Sequence, residues 1–564
     1  MKPAVGPIAA ALWLFVWPVG SLAAGPATGR HGMVVTEQHY ASQVGVDVLK
    51  AGGNAVDAAI AVGYALAVVD PCCGNIGGGG FMLLRFANGR ETFVDFRERA
   101  PLAARPNMFL NAGGDVVAGA STKSFEAVGT PGTVAGMEYA RSHFGTMSRE
   151  RLMARAIALA QNGYVLDRGD VREYRSSLDE LDTSSAARAI FTRAGKPYGA
   201  GEVLRQPQLA RSLRAIARDG ARAFYGGWIA REIVSASQAN GGLLTLKDFA
   251  DYRAEEAAPV HCRYRGYDIS SAPPPSSGGT TMCEILNIVE GFPLASYGWN
   301  SAQSIHDVVE AERRAYADRN AYLGDPAFVQ DPVKDLLSLD YAAKLRAQIE
   351  PNRATPSARV SPGLGPVSER AQTTHYSIVD RWGNAAAVSY TINDSFGSDL
   401  VAGDTGFLLN DEMDDFTAKA GVPNMYGLIQ GVRNQAQGGK RPLSSMAPTI
   451  VTKNGALFMV TGSPGGSRII SITLGVLQNV IDYGMNVQAA VDAPRIHHQW
   501  LPDELQVEPG AVDAAERASL EAMGYRLKEY APWGCAQAIL VDPQTRARFG
   551  GSDRRRSSGA ALGY

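Results

Sequence analysis

Several kinds of chemistry are missing from this sequence of 564 residues. Its longest basic run is Arg554 to Arg556 and its formal net charge is −2, so we expect no nucleic-acid partner. No glycine cluster is followed by Gly-Lys-Ser or Gly-Lys-Thr, which excludes a P-loop. Ser277 and Ser445 lack the Gly-x-Ser-x-Gly setting of a nucleophile elbow. The sequence therefore indicates neither P-loop nor serine-triad chemistry.

Cysteine and histidine are also scarce. The five cysteines are too few and too scattered for a disulfide scaffold, and no Cys-x-x-Cys is present. Because their number is odd, at least one thiol is unpaired or bonded to another molecule, and we interpret the adjacent Cys72 and Cys73 as structural or incidental. His497 and His498 would point apart on a strand, and no other His or Cys lies at ligand spacing. We therefore expect no metal and no cofactor.

The first residues have the form of a signal peptide. Lys2 supplies a positive charge, Ile8 to Val19 is mostly apolar, and Ser21-Leu22-Ala23 has the small-x-small form that signal peptidase cuts. We expect residues 1–24 to be removed and the protein to be exported, to a periplasm or as a secreted protein. The alternative is an uncleaved anchor, although the apolar run is short for a bilayer span of about 20 residues.

What the sequence does contain is a long, mixed pattern of strands and helices. With 45% hydrophobic residues, the chain can bury a large core and exceeds one ordinary domain. Strand patterns, then helices, then strands again predict an α+β architecture of two packed sheets with helices outside. The main predicted helices are Ala41 to Lys50, Asn54 to Val69, Arg149 to Asn162, Gln208 to Asp219, Trp228 to Ala239, Thr280 to Val289, Ser301 to Tyr322, Asp340 to Ile349, Ser467 to Asp482 and Asp513 to Met523. The predicted hairpins are Phe81 to Phe96, with a type I′ signal at Asn88-Gly89, and Thr374 to Ile392, Ala447 to Thr461 and Ala536 to Phe549.

One strand begins with a pair of hydroxyl residues. Residues 350–371 are proline-rich and aperiodic, the best candidate for a mobile segment, and they end at Gln372-Thr373. Cutting before Thr373 would give one residue both a hydroxyl nucleophile and an α-amine base. Such an amine has an ordinary pKa of about 7.7–8.0, so part of it is neutral near pH 7.5. The alternative to a nucleophile is that the two threonines are present only because threonine favours β-strands.

Three further groups could complete such a site. Backbone N–H groups at Gly465-Gly466, before a predicted helix, could donate to an oxyanion; the alternative is a tight turn with an N-cap at Ser467. The acidic cluster around Glu412 could hold an ammonium group. Arg97, at the end of a strand, could pair with a carboxylate. Each charge taken alone is more often a solvated surface charge.

Together these segments resemble the γ-glutamyltransferase (glutathione hydrolase) family. The resemblance spans nearly the whole mature chain and lies in Gly74 to Phe81, Val94 to Glu98, Gly129 to Val134, Pro273 to Gly279, Gln372 to Ser377, Leu408 to Phe416, Arg441 to Pro448, Gly462 to Arg468 and His497 to Leu505. It implies a four-layer αββα sandwich of the N-terminal nucleophile hydrolase type. It also implies self-cleavage into a large subunit, residues 25–372, and a small catalytic subunit, residues 373–564. Cys72-Cys73 departs from the family pattern and leaves open a redox sensitivity.

The resemblance implies a role for each candidate residue. Thr373 would be the nucleophile both for cleavage after Gln372 and for turnover, and Thr391 would hydrogen-bond to it. The family's binding site for the donor's α-amino group matches Asn393, Glu412 and Asp415, and its binding site for the α-carboxylate matches Arg97, Ser444 and Ser445. The oxyanion hole would be formed by Gly465 and Gly466. The lid that covers the pocket would be Pro423 to Lys440, with Tyr426.

The activity that this resemblance implies is transfer of a γ-glutamyl group. Glutathione and related compounds would be donors, and water or an acceptor amino acid or dipeptide would resolve the ester on Thr373. One alternative is an acylase for another amide, such as a glutaryl β-lactam side chain. Asp415 and Arg97 argue against it, because cephalosporin-deacylating relatives tend to lose that acid. The other alternative is a non-catalytic binding protein, which the intact Thr373 and Thr391 oppose.

Overall fold

The computed structural model describes residues 25–177, 184–193, 195–360 and 373–564. The predicted signal peptide and the predicted cleavage residue Gln372 lie outside these ranges. None of the helices in the described ranges combines the length and the apolar character needed to cross a bilayer.

Two seven-stranded antiparallel sheets form the centre of the molecule. The first sheet has the strand order Ala560–Gly563, Met33–Thr36, Thr374–Val379, Ala385–Thr391, Gly79–Arg85, Glu91–Phe96 and Glu255–Ala257. The second sheet has the order Ala27–Gly29, Arg548–Ser552, Gln537–Val541, Ala456–Gly462, Thr449–Lys453, Tyr267–Ser271 and Val260–Tyr264. Both sheets therefore take strands from either side of Thr373.

The sheets pack face to face because their strands alternate. In the first sheet Met33 and Val35 point toward the second sheet, where they meet side chains such as Val460 and Ile539. Val34, between them, points the other way into a helix layer. This period of two lets each strand bury both faces, as the middle layers of a sandwich require.

Helices cover the outer face of each sheet. His39–Lys50, Ala55–Val69 and Thr133–Phe144 pack directly on the first sheet, Arg149–Asn162 packs on Ala55–Val69, and Pro207–Asp219 packs on Arg149–Asn162. Gly278–Val289 and Ile469–Ile481 pack on the second sheet, and Ala302–Tyr322 packs on Gly278–Val289. The other helices within the described ranges are Arg168–Ser176, Ser185–Phe191, Ala221–Tyr225, Trp228–Ala239, Leu246–Asp251, Leu294–Tyr297, Val333–Leu336, Leu339–Arg346, Val487–Asp492 and Ala514–Met523. The predicted αββα arrangement is confirmed.

Small strands and 3-10 turns complete the fold. A three-stranded sheet and two short ribbons are formed by Ile496–His497, Leu505–Val507 and Leu527–Glu529, by Tyr164–Val165 with Val203–Leu204, and by Thr192–Arg193 with Lys196–Pro197. The 3-10 turns are Phe125–Ala127, Ser357–Arg359, Glu412–Asp415, Val432–Asn434 and Gly466–Arg468.

Local sequence signals predicted most helix and strand ends correctly, but they did not predict every turn type. Asn54 caps the fully buried helix Ala55–Val69, because its Oδ1 accepts from Asp57 N, and Asp57 Oδ2 in turn accepts from Asn54 N. At the second Asn-Gly pair both Asn454 and Gly455 have positive φ, as a type I′ turn requires. The type I′ prediction at Asn88 is wrong, because there only the glycine has positive φ. The loop from Phe86 to Arg90 is longer than two residues, closed by a hydrogen bond from Phe86 N to Arg90 O of 2.8 Å.

Four cysteines form two disulfides that the sequence reasoning missed. Cys72 bonds to its neighbour Cys73, and Cys262 on a strand of the second sheet bonds to Cys283 on the helix above it. Cys535 is free and buried. The odd cysteine count correctly required at least one thiol outside a disulfide within the chain.

The first part of the proline-rich segment is held in place. Ser357 is buried, its N–H donates to Asp503 Oδ2 at 2.8 Å, and its carbonyl accepts from Trp500 Nε1 at 3.0 Å. The prediction of mobility is therefore wrong for this anchor point. Residues 361–371 lie outside the described ranges.

Candidate active site

Thr373 lies at the head of a central strand of the first sheet. The strand Thr374–Val379 pairs with Ala385–Thr391, and the register sets Thr374 opposite Tyr390. The hairpin therefore brings the hydroxyls of Thr373 and Thr391 together, with their oxygens 3.3 Å apart. Asn393 N donates to Thr391 Oγ1 at 2.9 Å, which fixes that hydroxyl. Both threonines are buried at the floor of one pocket.

Gly465 and Gly466 connect a strand of the second sheet to the helix Ile469–Ile481. Their φ angles are 140° and 54°, values that side-chain-bearing residues rarely adopt. Gly466 lines the pocket with Thr373, and Gly465 lines the cavity on the other side of that threonine. Amide groups at this helix start can donate to negative charge that develops beside Thr373. The alternative of an N-cap at Ser467 is wrong, since the helix is capped at Arg468 and Ser467 Oγ donates to Gln499 Oε1 at 2.7 Å.

A buried ion cluster lies on the opposite wall. Arg97 follows the strand Glu91–Phe96. One of its guanidinium nitrogens donates a hydrogen bond to Glu412, and another donates a hydrogen bond to Asp415. Its Nε donates to the Pro442 carbonyl at 3.2 Å. Both acids lie on the 3-10 turn Glu412–Asp415, so that turn and the end of one strand build the whole cluster.

The cluster carries more acid than base. Burial alone lowers the pKa of Arg97, but Glu412 and Asp415 outweigh that effect and raise it. Burial raises the pKa of Glu412 and of Asp415, and the Arg97 guanidinium opposes both shifts. Burial also raises the pKa of the adjacent Glu98 to about 7. A ligand with an ammonium group would offset this excess of carboxyl groups.

Asn393 and Tyr426 close the pocket between the cluster and the threonines. Asn393 adopts φ 76° and donates Nδ2 to the Asp411 carbonyl at 3.0 Å. Tyr426 donates its hydroxyl to Asn393 Oδ1. Tyr426 and Leu428, both within the predicted lid segment, line the pocket.

The two predicted serines lie on the remaining wall, beside a cation that the sequence reasoning missed. Arg319, on the helix Ala302–Tyr322, is 1% exposed and donates NH2 to Ser445 Oγ at 3.2 Å. It also donates Nε to Ser277 Oγ at 3.0 Å, and Ser277 Oγ donates to the Ser444 carbonyl at 2.6 Å. A single arginine in a helix that is buried on all sides gives no local signal that it reaches a site 126 residues further along the chain.

The structure thus brings the predicted site residues together. The described pocket is lined by Arg97, Thr373, Thr391, Asn393, Glu412, Asp415, Tyr426, Leu428, Ser444, Ser445, Met446, Gly466 and Ile469. Of the predicted residues, Gly465 lies in the adjoining cavity and Gln372 lies outside the described residues. His497 hydrogen-bonds to Ser471 and Gln499, whereas the His498 ring lies 3.4 Å from Asp503, so the two rings have different surroundings.

Two facing sheets between helix layers, with a threonine at the head of a central strand, define an N-terminal nucleophile hydrolase. Residues 41–563 match the family described as gamma-glutamyltranspeptidase. The chain belongs to that family of enzymes.

Relatives of known sequence and structure agree with this assignment. A glutathione hydrolase proenzyme of Pseudomonas sp. (strain A14) is 53% identical, covering 99% of this chain and 98% of that protein. The glutathione hydrolase proenzyme of Escherichia coli (strain K12) is 48% identical over 96% of this chain and 93% of that protein. The crystal structure of cephalosporin acylase from Bacillus halodurans superimposes with a TM-score of 0.86 at 28% identity, covering 98% of this chain and 99% of that chain.

Proposed function

We propose that this chain is a self-processing glutathione hydrolase and γ-glutamyltransferase. It would cleave the γ-glutamyl amide of glutathione and related compounds, and pass the γ-glutamyl group to water or to an acceptor amino acid or peptide. The observation that carries the proposal is the placement of Thr373 and Thr391, 3.3 Å apart, in one pocket with Arg97, Glu412 and Asp415. The relatives named above support the same activity.

Self-cleavage would generate the active nucleophile. Thr373 Oγ would attack the Gln372 carbonyl carbon, and the C–N bond would break as the acyl group moves from nitrogen to oxygen. Water would then hydrolyse that ester, leaving a carboxylate on Gln372 and a free α-amine on Thr373. The products would be a large subunit of residues 25–372 and a small subunit of residues 373–564, which remain associated.

Turnover would use the same hydroxyl with its new amine. The Thr373 α-amine would take the hydroxyl proton as Oγ bonds to the γ-carbonyl carbon of the donor. The N–H groups of Gly465 and Gly466 would stabilise the oxyanion. The proton would pass to the leaving amine, cysteinylglycine when glutathione is the donor, as the amide bond breaks. Water or an acceptor amine would then attack the ester and restore Thr373.

The walls of the pocket match the two charges of a γ-glutamyl group. Asp415 and Glu412, with Asn393, would hold the α-ammonium group. Arg97 and the Ser444-Ser445 pair would hold the α-carboxylate, with Arg319 behind Ser445 as a second buried cation. A glutaryl group lacks the ammonium that offsets the acidic cluster, which argues against an acylase for glutaryl amides.

The test has two stages. Purified wild-type protein and Thr373→Ala are compared on a denaturing gel with intact-mass analysis. Two wild-type fragments, the smaller beginning at Thr373, and a single uncut variant chain are expected. Wild-type enzyme is then assayed with a γ-glutamyl anilide and a glutaryl anilide. Preference for the glutaryl compound would overturn the proposed specificity, and an uncut, inactive wild type would favour a binding protein.

For location, we propose export after removal of residues 1–24, to a periplasm or as a secreted protein. The support is the form of those residues. Amino-terminal sequencing of the protein recovered from periplasmic and culture-medium fractions would test it.

A further inference from the structure

Asp414 belongs to the acidic turn Glu412–Asp415 but faces away from Arg97. It is buried, with 5% of its surface exposed, and it is not among the side chains that line the pocket. Its Oδ1 accepts from Ser121 Oγ at 2.6 Å and its Oδ2 accepts from Met425 N at 2.9 Å. One carboxylate therefore joins two loops that are about 300 residues apart in the sequence.

The amide held by Asp414 belongs to a tight turn over the pocket, residues 424–428. Asn424 Oδ1 accepts from the backbone N–H groups of Tyr426 and Leu428, each at 3.1 Å, so the turn is braced internally. Tyr426 follows Met425 directly and donates its hydroxyl to Asn393 Oδ1. Because the turn is braced, a shift of the Met425 amide would carry the Tyr426 ring with it.

Ser121 fixes the other end of this connection. It lies on the loop that precedes the 3-10 turn Phe125–Ala127, and Ser124 Oγ on the same loop donates to the Ala120 carbonyl at 2.7 Å. Lys123 Nζ, also on this loop, lies 2.8 Å from Asp399. The loop that carries Ser121 is thus held by a hydrogen bond within itself and by an ion pair to a residue that follows Asn393. It can therefore fix the position of Asp414.

We propose that Asp414 is a positioning residue that holds turn 424–428 over the pocket, by joining Met425 to Ser121, and so places Tyr426 against Asn393. This inference rests on the proposed function, because its consequence is weaker retention of a γ-glutamyl donor. Asp414 touches neither the donor nor Thr373, so its loss should act on binding of the donor rather than on the chemical step.

The test is a set of single and double variants with a γ-glutamyl anilide. Asp414→Ala removes both acceptor oxygens, and it should raise KM about tenfold with kcat within about twofold. Ser121→Ala should raise KM by a smaller factor. When either substitution is combined with Tyr426→Phe, it should raise KM by less than a further twofold, because its effect passes through the tyrosine. Proteolysis within residues 419–440 should be faster in Asp414→Ala.

Asp115→Asn is the matched control. Asp115 is an exposed carboxylate near the same segment, paired with Lys419 at 3.6 Å, and its loss should change neither KM nor proteolysis. Full additivity with Tyr426→Phe, or unchanged KM and proteolysis in Asp414→Ala, would overturn the inference. If Asp414→Ala fails to self-process, additivity between Ser121→Ala and Tyr426→Phe would overturn it equally. A wild-type enzyme that does not turn over the anilide would instead refute the proposed function.

Discussion

The hydroxyl oxygens of Thr373 and Thr391 lie 3.3 Å apart at the ends of two neighbouring strands. Asn393 N donates to Thr391 Oγ1, so the Thr391 proton can be directed toward Thr373. This arrangement places a second hydroxyl where it could orient Thr373 Oγ, the proposed nucleophile, and share the charge that would develop on it.

Replacing Thr391 by valine should therefore slow the reaction. Valine keeps the shape but removes the hydroxyl, and we expect kcat to fall about 100-fold, the effect of losing one well-placed donor. Thr391→Ser, which retains the hydroxyl, is the control and should keep most of the activity. Steady-state kinetics on fully processed protein provide the measurement. Equal activity of the valine and serine variants would remove Thr391 from the mechanism.

Asp415 should determine the preference for an ammonium-bearing donor. Asp415→Asn removes a buried charge, and we expect KM for a γ-glutamyl anilide to rise about 100-fold, as for loss of a strong charge-assisted hydrogen bond. A glutaryl anilide has no ammonium group, so its KM should change far less. Parallel kinetics with both substrates distinguish the two cases. An equal loss for both would mean that Asp415 serves only to hold Arg97.

Gly465 should tolerate no side chain. Its φ is 140°, and an added Cβ would lie 2.8 Å from Ile472 Cδ1. Gly465→Ala should turn the local N–H groups away from Thr373 and lower kcat more than it changes KM, at a conformational cost of about 1–3 kcal/mol.

The control for Gly465 lies in the helix that follows it. An added Cβ at Gly475 meets nothing within 4 Å, so Gly475→Ala should leave kcat unchanged and stabilise the helix by up to about 1 kcal/mol. If Gly475→Ala lowered kcat as much as Gly465→Ala, general disturbance of the helix would explain both results.

His375 should make the protein sensitive to acid. It is buried between Ser377 and Ser389, and burial lowers its pKa to about 3. In the unfolded chain, histidine takes up a proton near its ordinary pKa of about 6.5. Between these two values the unfolded state binds more protons, so this contribution to stability is complete above pH 6.5 and is lost as pH falls toward 3.

The variant His375→Gln should lose less stability than wild type between pH 6.5 and pH 4. Unfolding midpoints measured at several pH values on the uncut Thr373→Ala chain, with and without His375→Gln, give the comparison. His497 and His498, whose pKa values burial also lowers, should leave a residual slope in the variant. Parallel curves for the two proteins would contradict the assignment to His375.

The disulfide between Cys262 and Cys283 should contribute to stability. It closes a loop across 21 residues and joins a strand of the second sheet to its covering helix. Replacing both cysteines by alanine should cost about 3 kcal/mol, the value for a loop of this size. Cys535→Ser, which alters a buried free thiol, is the control for simple loss of a sulfur. Denaturant unfolding gives the measurement, and an unchanged midpoint would contradict the prediction.

The parts of the site that adjacent strands build could be predicted from the sequence. A short hairpin sets its own register, so a strand beginning at Thr374 and returning through Ala385 necessarily brings Thr373 near Thr391. Likewise Arg97 follows a strand whose alternation was readable, and the glycine pair precedes a helix with a clear apolar period. The resemblance to the γ-glutamyltransferase family then supplied the predicted role of each of these residues.

The parts that distant segments build could not be predicted in this way. Arg319 reaches Ser445 across 126 positions, and nothing in a helical pattern indicates which charged side chain will be buried. The type I′ signal at Asn88-Gly89 failed because the Phe86–Arg90 hydrogen bond closes a longer loop than the dipeptide alone suggests. The number of cysteines could not predict which of them form disulfides, because two pairs can be drawn from five cysteines in several ways.

The mixed origin of the sheets has a consequence for assembly. In the first sheet, Thr374–Val379 from one half of the chain lies hydrogen-bonded beside Met33–Thr36 from the other half, and Ala385–Thr391 lies beside Gly79–Arg85. Neither half can complete a sheet by itself. A cut before Thr373 would therefore leave one cooperative folding unit in two polypeptides, and the two pieces expressed separately should fail to fold until they meet.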